Sequence, residues 1–136
     1  MTTDSNPPTN SSFGCDACWP AKADDAHLAS SELFMGPRLI DESHCAVSLR
    51  TCGHCQQAYL TVFTERIDWL EGDDPQFVSR IPLTYREAAE LAAHGAISES
   101  SVGRIGVGRK CLRHDAPARA PASTYWGTGI SVGPHD

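Results

Sequence analysis

The chain has no apolar run approaching the roughly 18 residues needed to span a bilayer, so it offers no transmembrane segment by sequence. Its opening stretch, MTTDSNPPTNSS, lacks both a basic segment and an apolar segment behind it, and does not read as a secretory signal. The expectation is therefore a cytoplasmic protein. In a reducing compartment its six cysteines point to metal binding or redox chemistry rather than to disulfides. On the same grounds the acceptor triplet Asn10-Ser11-Ser12 is a chance match. Catalytic signatures are lacking as well. No Ser or Cys has an identifiable base and orienting partner. In Gly103-Arg-Ile-Gly-Val-Gly108, the following Arg109 stands where a phosphate-binding loop needs Lys, and Lys110 where it needs a hydroxyl. Cys111 occupies the third glycine place of a dinucleotide-binding pattern, so the stretch reads as a flexible basic loop.

What is present is unevenly distributed. Residues 1–99 carry 15 acids and 6 bases, and residues 100–136 carry 2 acids and 5 bases, for a net charge of -6. An acidic body opposes non-specific nucleic-acid binding, because phosphate neutralisation supplies most of that affinity. The local exception is Arg104, Arg109, Lys110 and Arg113, four bases within ten residues. Asp68, Glu71, Asp73 and Asp74 make an acidic turn that reads as solvated, and Trp69, Trp126 and Tyr125 read as core residues rather than a stacking surface.

Along the chain, residues 1–13 are polar and read as a disordered tail. Leu33–Ile40 is apolar but broken by Gly36 and Pro37, which suggests a short strand or an irregular packed segment. Cys45–Thr51 alternates as a strand does, and Gln57–Leu70 is rich in β-branched and aromatic residues. Gly72-Asp-Asp-Pro75 is turn chemistry, after which Gln76–Ile81 reads as a possible third strand. Thr84 and Glu87 form a capping box ahead of an alanine-rich run that ends at His94 and Gly95, predicting a helix over about residues 84–94. Beyond residue 98, glycine and proline punctuate the chain, and 116–136 reads as a loop-rich tail.

The chemistry lies in the cysteines. Two residues between paired cysteines let a tight turn point both thiolates inward, and two such turns complete a tetrahedral site. Cys15/Cys18 and Cys52/Cys55 are such pairs, separated by 33 residues where ribbon sites have roughly 15–20. Residues 20–43 account for the excess as an insertion. Over residues 14–70 these motifs resemble a zinc ribbon in the broad rubredoxin-like sense. The resemblance implies a structural Zn2+ with Cys15, Cys18, Cys52 and Cys55 as ligands on a β-hairpin, and leaves function open. The fold class expected is α+β: a small zinc-ribbon-like β-hairpin core over residues 14–115, one capped helix, and loop-rich termini.

Three functions are consistent with this reading. The first is a non-catalytic zinc-binding module with a protein partner, favoured by the acidic body. The second is a nucleic-acid-binding ribbon using Arg104, Arg109, Lys110 and Arg113. The third is a thiol-disulfide oxidoreductase using Cys52-Gly53-His54-Cys55. Against the third, a redox thiol of that type sits at a helix N-terminus, whereas the residues after Cys55 are β-forming. Cys45 beside His44, and Cys111 three residues before His114, offer further ligand pairs for a second site or a replaced ligand. Buried lone cysteines are the commoner outcome.

Overall fold

The computed structural model describes residues 13–135. The reading of residues 1–13 as a disordered tail, and the triplet at Asn10, thus lie outside the described residues except for Phe13. Six strands form one antiparallel sheet: β1 (Phe34–Glu42), β2 (Cys45–Thr51), β3 (Ala58–Glu65), β4 (Gln76–Pro82), β5 (Lys110–Ala116) and β6 (Ser123–Thr128). Their order in the sheet is their order in the chain. Three short helices accompany them: α1 (Ala23–Leu28), α2 (Tyr85–His94) and α3 (Glu99–Val102). A 3-10 turn, Ala29–Glu32, follows α1 directly. No helix among the described residues is long and apolar enough to cross a membrane.

The α+β expectation of a hairpin core with loop-rich termini is therefore corrected: the protein is mostly β, built on a six-stranded antiparallel sheet with only a few short helices. The β2–β3 hairpin is present, with the second cysteine turn at its tip, but as two strands of six. Of the others, β4 is where Gln76–Ile81 reads as a possible third strand and β5 falls where Arg109–Arg113 reads as a possible short one, while β1 and β6 hold glycines that read as breaks. Gly36 and Pro37 lie in β1, at the edge of the sheet, where the register shifts between Met35 and Arg38. An edge strand tolerates a missing N–H, and a Cβ at Gly36 would stand only 3.0 Å from the Leu49 carbonyl oxygen. In β6, Gly127 leaves room for the Arg113 side chain, which crosses it and donates at 2.9 Å to the carbonyls of Thr128 and Gly129. These glycines serve close approach between strands, and do not mark turns.

Strand alternation sorts the side chains onto two faces. One face carries Val47, Leu49, Leu60, Val62, Ile81 and Cys111, buried beneath Ala88 and Leu91 of α2, Val102 of α3, and Ile130 and Val132 of the C-terminal segment. The capped helix behaves as the sequence indicates: Thr84 Oγ1 accepts from Glu87 N at 3.1 Å, and Glu87 Oε1 accepts from Thr84 N at 2.8 Å. Arg109 braces this helix by donating to both Glu87 oxygens, at 2.8 and 3.2 Å, and to the Pro82 carbonyl. The other face carries Tyr59, Leu112 and Trp126, covered by Cys18, Trp19, Ala26 and Leu33 of the N-terminal segment. This second layer is smaller, and it holds the cysteine turns.

Candidate metal centre

Cys15 and Cys18 lie on a turn closed by Cys18 N and Trp19 N donating to the Cys15 carbonyl, at 3.2 and 2.7 Å. Cys52 and Cys55 lie on the β2–β3 turn, where Gln56 N donates to the Cys52 carbonyl at 3.0 Å and Cys52 N to the Gln57 carbonyl at 2.9 Å. Residues 19–51, the whole stretch between the two pairs, run through α1, the 3-10 turn, β1 and β2 before the chain returns.

The two turns face each other. Sγ–Sγ separations are 3.8 Å for Cys15–Cys18, 3.9 Å for Cys15–Cys52 and 3.8 Å for Cys18–Cys55. All four sulfurs fall within 4.8 Å of one another. Tetrahedral Zn–S bonds of about 2.3 Å place ligand sulfurs about 3.8 Å apart. A disulfide needs about 2.05 Å, and all six cysteines are free. The four thiols thus form a group that can hold a metal ion. Cys18 and Cys52 are buried, while Cys15 is half-buried and Cys55 exposed.

The surroundings favour charge at one sulfur and oppose it at others. Backbone N–H groups point at two of the sulfurs: Cys15 N at Cys18 Sγ, 3.4 Å, and His54 N at Cys52 Sγ, 3.3 Å. The Tyr59 hydroxyl lies 2.9 Å from Cys18 Sγ. Burial raises the Tyr59 phenol well above its ordinary range, so it keeps its proton and can donate to a Cys18 thiolate. The Cys18 backbone N–H holds the Cys15 thiol down to about 7. Burial raises Cys18, and burial with the neighbouring sulfurs pushes Cys55 up to about 12. The metal-free cluster therefore supports one thiolate readily and resists the next, because negative charges a few ångströms apart repel. A bound cation removes that resistance.

Three residues that the sequence reading did not single out hold the centre together. Gln57 accepts from Gly14 N at 3.0 Å and donates to the Ala58 and Leu83 carbonyls, both at 2.7 Å, joining the first cysteine turn to β3 and the end of β4. Tyr59 and Trp19 stack with centroids 5.3 Å apart, and Trp126 meets Trp19 edge-on at 4.9 Å. Arg80, only 1% exposed, projects from β4 beneath them. Its guanidinium donates to the Cys18 and Ala26 carbonyls and to Ser30 Oγ, and its Cζ lies 5.1 Å from the Tyr59 ring centroid. No local pattern marks these roles, since each depends on a partner more than 20 residues away. Gly14 is the exception in kind, for its φ of +69° and the 2.6 Å from its notional Cβ to Tyr59 Oη demand glycine.

The other candidates separate. Cys111 is fully buried and contacts Ser79 Oγ at 3.0 Å, on the opposite face of β5 from His114. His114 stacks on His27 at 3.8 Å and bonds Thr124 through Nδ1. His44 faces Glu65 at 3.7 Å, whereas its neighbour Cys45 is buried near Glu99 and His135, the three offering ligand atoms within 4.8 Å of one another. His135 Nε2 and Glu99 Oε1 already contact each other at 3.0 Å. The basic stretch is divided: Arg109 pairs with Glu87, Lys110 stands 4.0 Å over the Trp126 ring, Arg113 folds across β6, and Arg104 is exposed. Cys55 leads into β3 and not into a helix.

Fold and site together define a mostly-β protein with a tetra-thiol centre joining its N-terminal segment to a hairpin turn. Comparisons of the chain with protein-family models, with curated proteins and with solved structures give no match.

Proposed function

We propose that this protein is a non-catalytic zinc-binding interaction module, its Zn2+ held by Cys15, Cys18, Cys52 and Cys55. The observation that carries the reading is that three of the six Sγ separations are 3.8–3.9 Å, the edge length of a zinc tetrathiolate, with all four sulfurs within 4.8 Å of one another. Four thiolates saturate zinc and leave no position for water or substrate, so the role is structural. The ion fastens the N-terminal segment onto the sheet, and the fastened fold presents surface to a protein partner. Two exposed apolar pairs suit such contact. Trp69 and Leu70, 85% and 95% exposed, stand on the acidic β3–β4 turn, and Phe34 and Met35 lie on the edge strand β1. Arg119 bonds Asp68 and Glu71 at 2.8 and 2.9 Å and so stiffens the turn that carries the first pair.

The test is elemental analysis of protein purified without added zinc, beside a Cys52→Ser variant. One zinc per chain, lost in the variant, is the expected result. A metal-free folded protein would overturn the reading. The interaction half is tested by Trp69→Ala/Leu70→Ala, which is expected to keep zinc and stability within about 0.5 kcal/mol while weakening partner binding.

A further inference from the structure

The face of the sheet that carries Tyr59 is only partly covered. α1 and the turn after it roof the β4–β6 side, and beside them a cavity of about 240 Å3 opens over β2, β3 and β4. Its walls include His27, Leu33, Arg50, Thr61, Phe63 and Arg80. Two arginines in one small cavity call for a counter-charge, and among the described residues neither pairs with a carboxylate. Arg50 bonds Ser48 Oγ at 3.2 Å, and Arg80 bonds two carbonyls and the Ser30 hydroxyl. Burial and the nearby Arg38 both press Arg50 below arginine's ordinary value, the reverse of what an acidic neighbour does. Three of the lining residues each hold a buried polar atom without a hydrogen-bond partner: Arg80 Nε, Thr61 Oγ1 and His27 Nδ1. Folded proteins pair nearly all such atoms. A tetrathiolate centre would answer part of the Arg80 charge through Cys18, but no sulfur is a hydrogen-bond partner of these atoms or of Arg50 Nε.

We propose that this cavity binds a small organic carboxylate, its head group held by Arg50, Arg80 and Thr61 and its apolar body laid against Leu33 and Phe63. Water satisfies orphaned donors but brings no charge. A carboxylate accepts from several donors at once and neutralises guanidinium groups, which makes such bonds roughly twice as strong as neutral ones. The volume lies below the ~300–1,000 Å3 of drug-sized sites, which limits the occupant to a small molecule. Burial, His114 and Arg80 all lower the His27 pKa, so near neutral pH it lines the site as an uncharged ring.

The experiment is a titration of the full-length, zinc-loaded chain followed by amide correlation spectra, with benzoate and butyrate as probes. Benzamide serves as the neutral counterpart of benzoate, and inorganic phosphate as an anion without an apolar body. Benzoate is expected to shift the Arg50, Thr61 and Arg80 resonances saturably, and benzamide to bind at least about tenfold more weakly. Arg50→Met keeps the apolar stem and is expected to weaken benzoate about tenfold or more, with a smaller loss for Thr61→Val. Dispersed spectra and unchanged zinc content in both variants separate this site from the metal centre. The proposal is overturned if neither carboxylate gives a saturable response at millimolar concentration, or if benzamide binds as well as benzoate. It is equally overturned if phosphate binds and the carboxylates do not, or if both variants bind benzoate like the parent.

Discussion

Replacing Tyr59 by Phe removes one oxygen and little else. The ring is fully buried between Trp19 and the Arg80 guanidinium, and a phenyl group keeps both contacts. What is lost is the donor 2.9 Å from Cys18 Sγ. The size of the effect depends on what that sulfur is. A hydrogen bond to a neutral group contributes about 0.5–1.5 kcal/mol, and one to a charged group about 1.5–3 kcal/mol. If Cys18 is a metal-bound thiolate, roughly 1–2 kcal/mol of the loss belongs to the zinc-loaded state alone, which is about 5- to 30-fold in zinc affinity. That agrees with the ~10–100-fold cost of removing a group that supports a metal ligand. Two assays read it: competition for zinc against a chromophoric chelator, and urea unfolding with zinc and with excess chelator. The Phe variant should lose more stability with zinc than without. Unchanged zinc affinity, together with equal destabilisation in both conditions, would refute the idea that the hydroxyl supports a metal-bound sulfur.

Other consequences are open to similar measurement. Gly14→Ala places a Cβ 2.6 Å from both Trp19 Cβ and Tyr59 Oη at a φ of +69°, and is expected to lower stability by about 1–3 kcal/mol in chemical denaturation. In zinc-free protein, alkylation mapped by mass spectrometry should modify Cys15 first, with a midpoint near 7, although Cys55 is the more exposed thiol; earlier modification of Cys55 would contradict the assignment. Because the Cys15 pKa is depressed on folding, its stabilising contribution is present above the ordinary thiol range and is lost as pH falls through about 7. Glu87→Gln removes the charge from the Arg109 pair while its amide oxygen can still complete the capping box, and should cost about 1–2 kcal/mol near neutral pH. Burial raises the Glu87 pKa, but the Arg109 and Thr84 bonds outweigh it and leave the pKa lowered. The deficit of the Gln variant in thermal melts should therefore shrink as pH falls through the carboxylate range.

The parts of this architecture visible in the sequence are those with local causes. Thr84 and Glu87 bond each other across three residues, and the helix they start is where the capping box places it. The Cys-x-x-Cys spacings dictate their own turns, and the β2–β3 hairpin follows from two β-rich runs around one of them. Ligand chemistry alone predicts that the two turns converge, and the four sulfurs lie within 4.8 Å of one another. What stayed hidden has distant causes. The pairing of β5 with β4 spans a segment containing α2 and α3, and no periodicity announces it. Gly36 and Gly127 look like breaks until Leu49 and Arg113 are seen against them. Arg80 reads as an ordinary strand arginine, and only the folded chain places it beneath Trp19 and Tyr59.

The strict order of the sheet has a further consequence. Every strand pairs with its neighbours in sequence, so the ladder from β1 to β6 closes without the N-terminal segment. The cysteine centre joins positions 37 apart, and one of its two halves lies wholly outside that ladder. A segment that the ladder does not need can open locally while the ladder itself holds, since local openings cost less than global unfolding. Stripping the ion should free residues 13–33 to exchange their amide hydrogens with solvent while the ladder amides stay protected. An ion held there would set how often that segment lifts, and with it how often the cationic face beneath is laid bare.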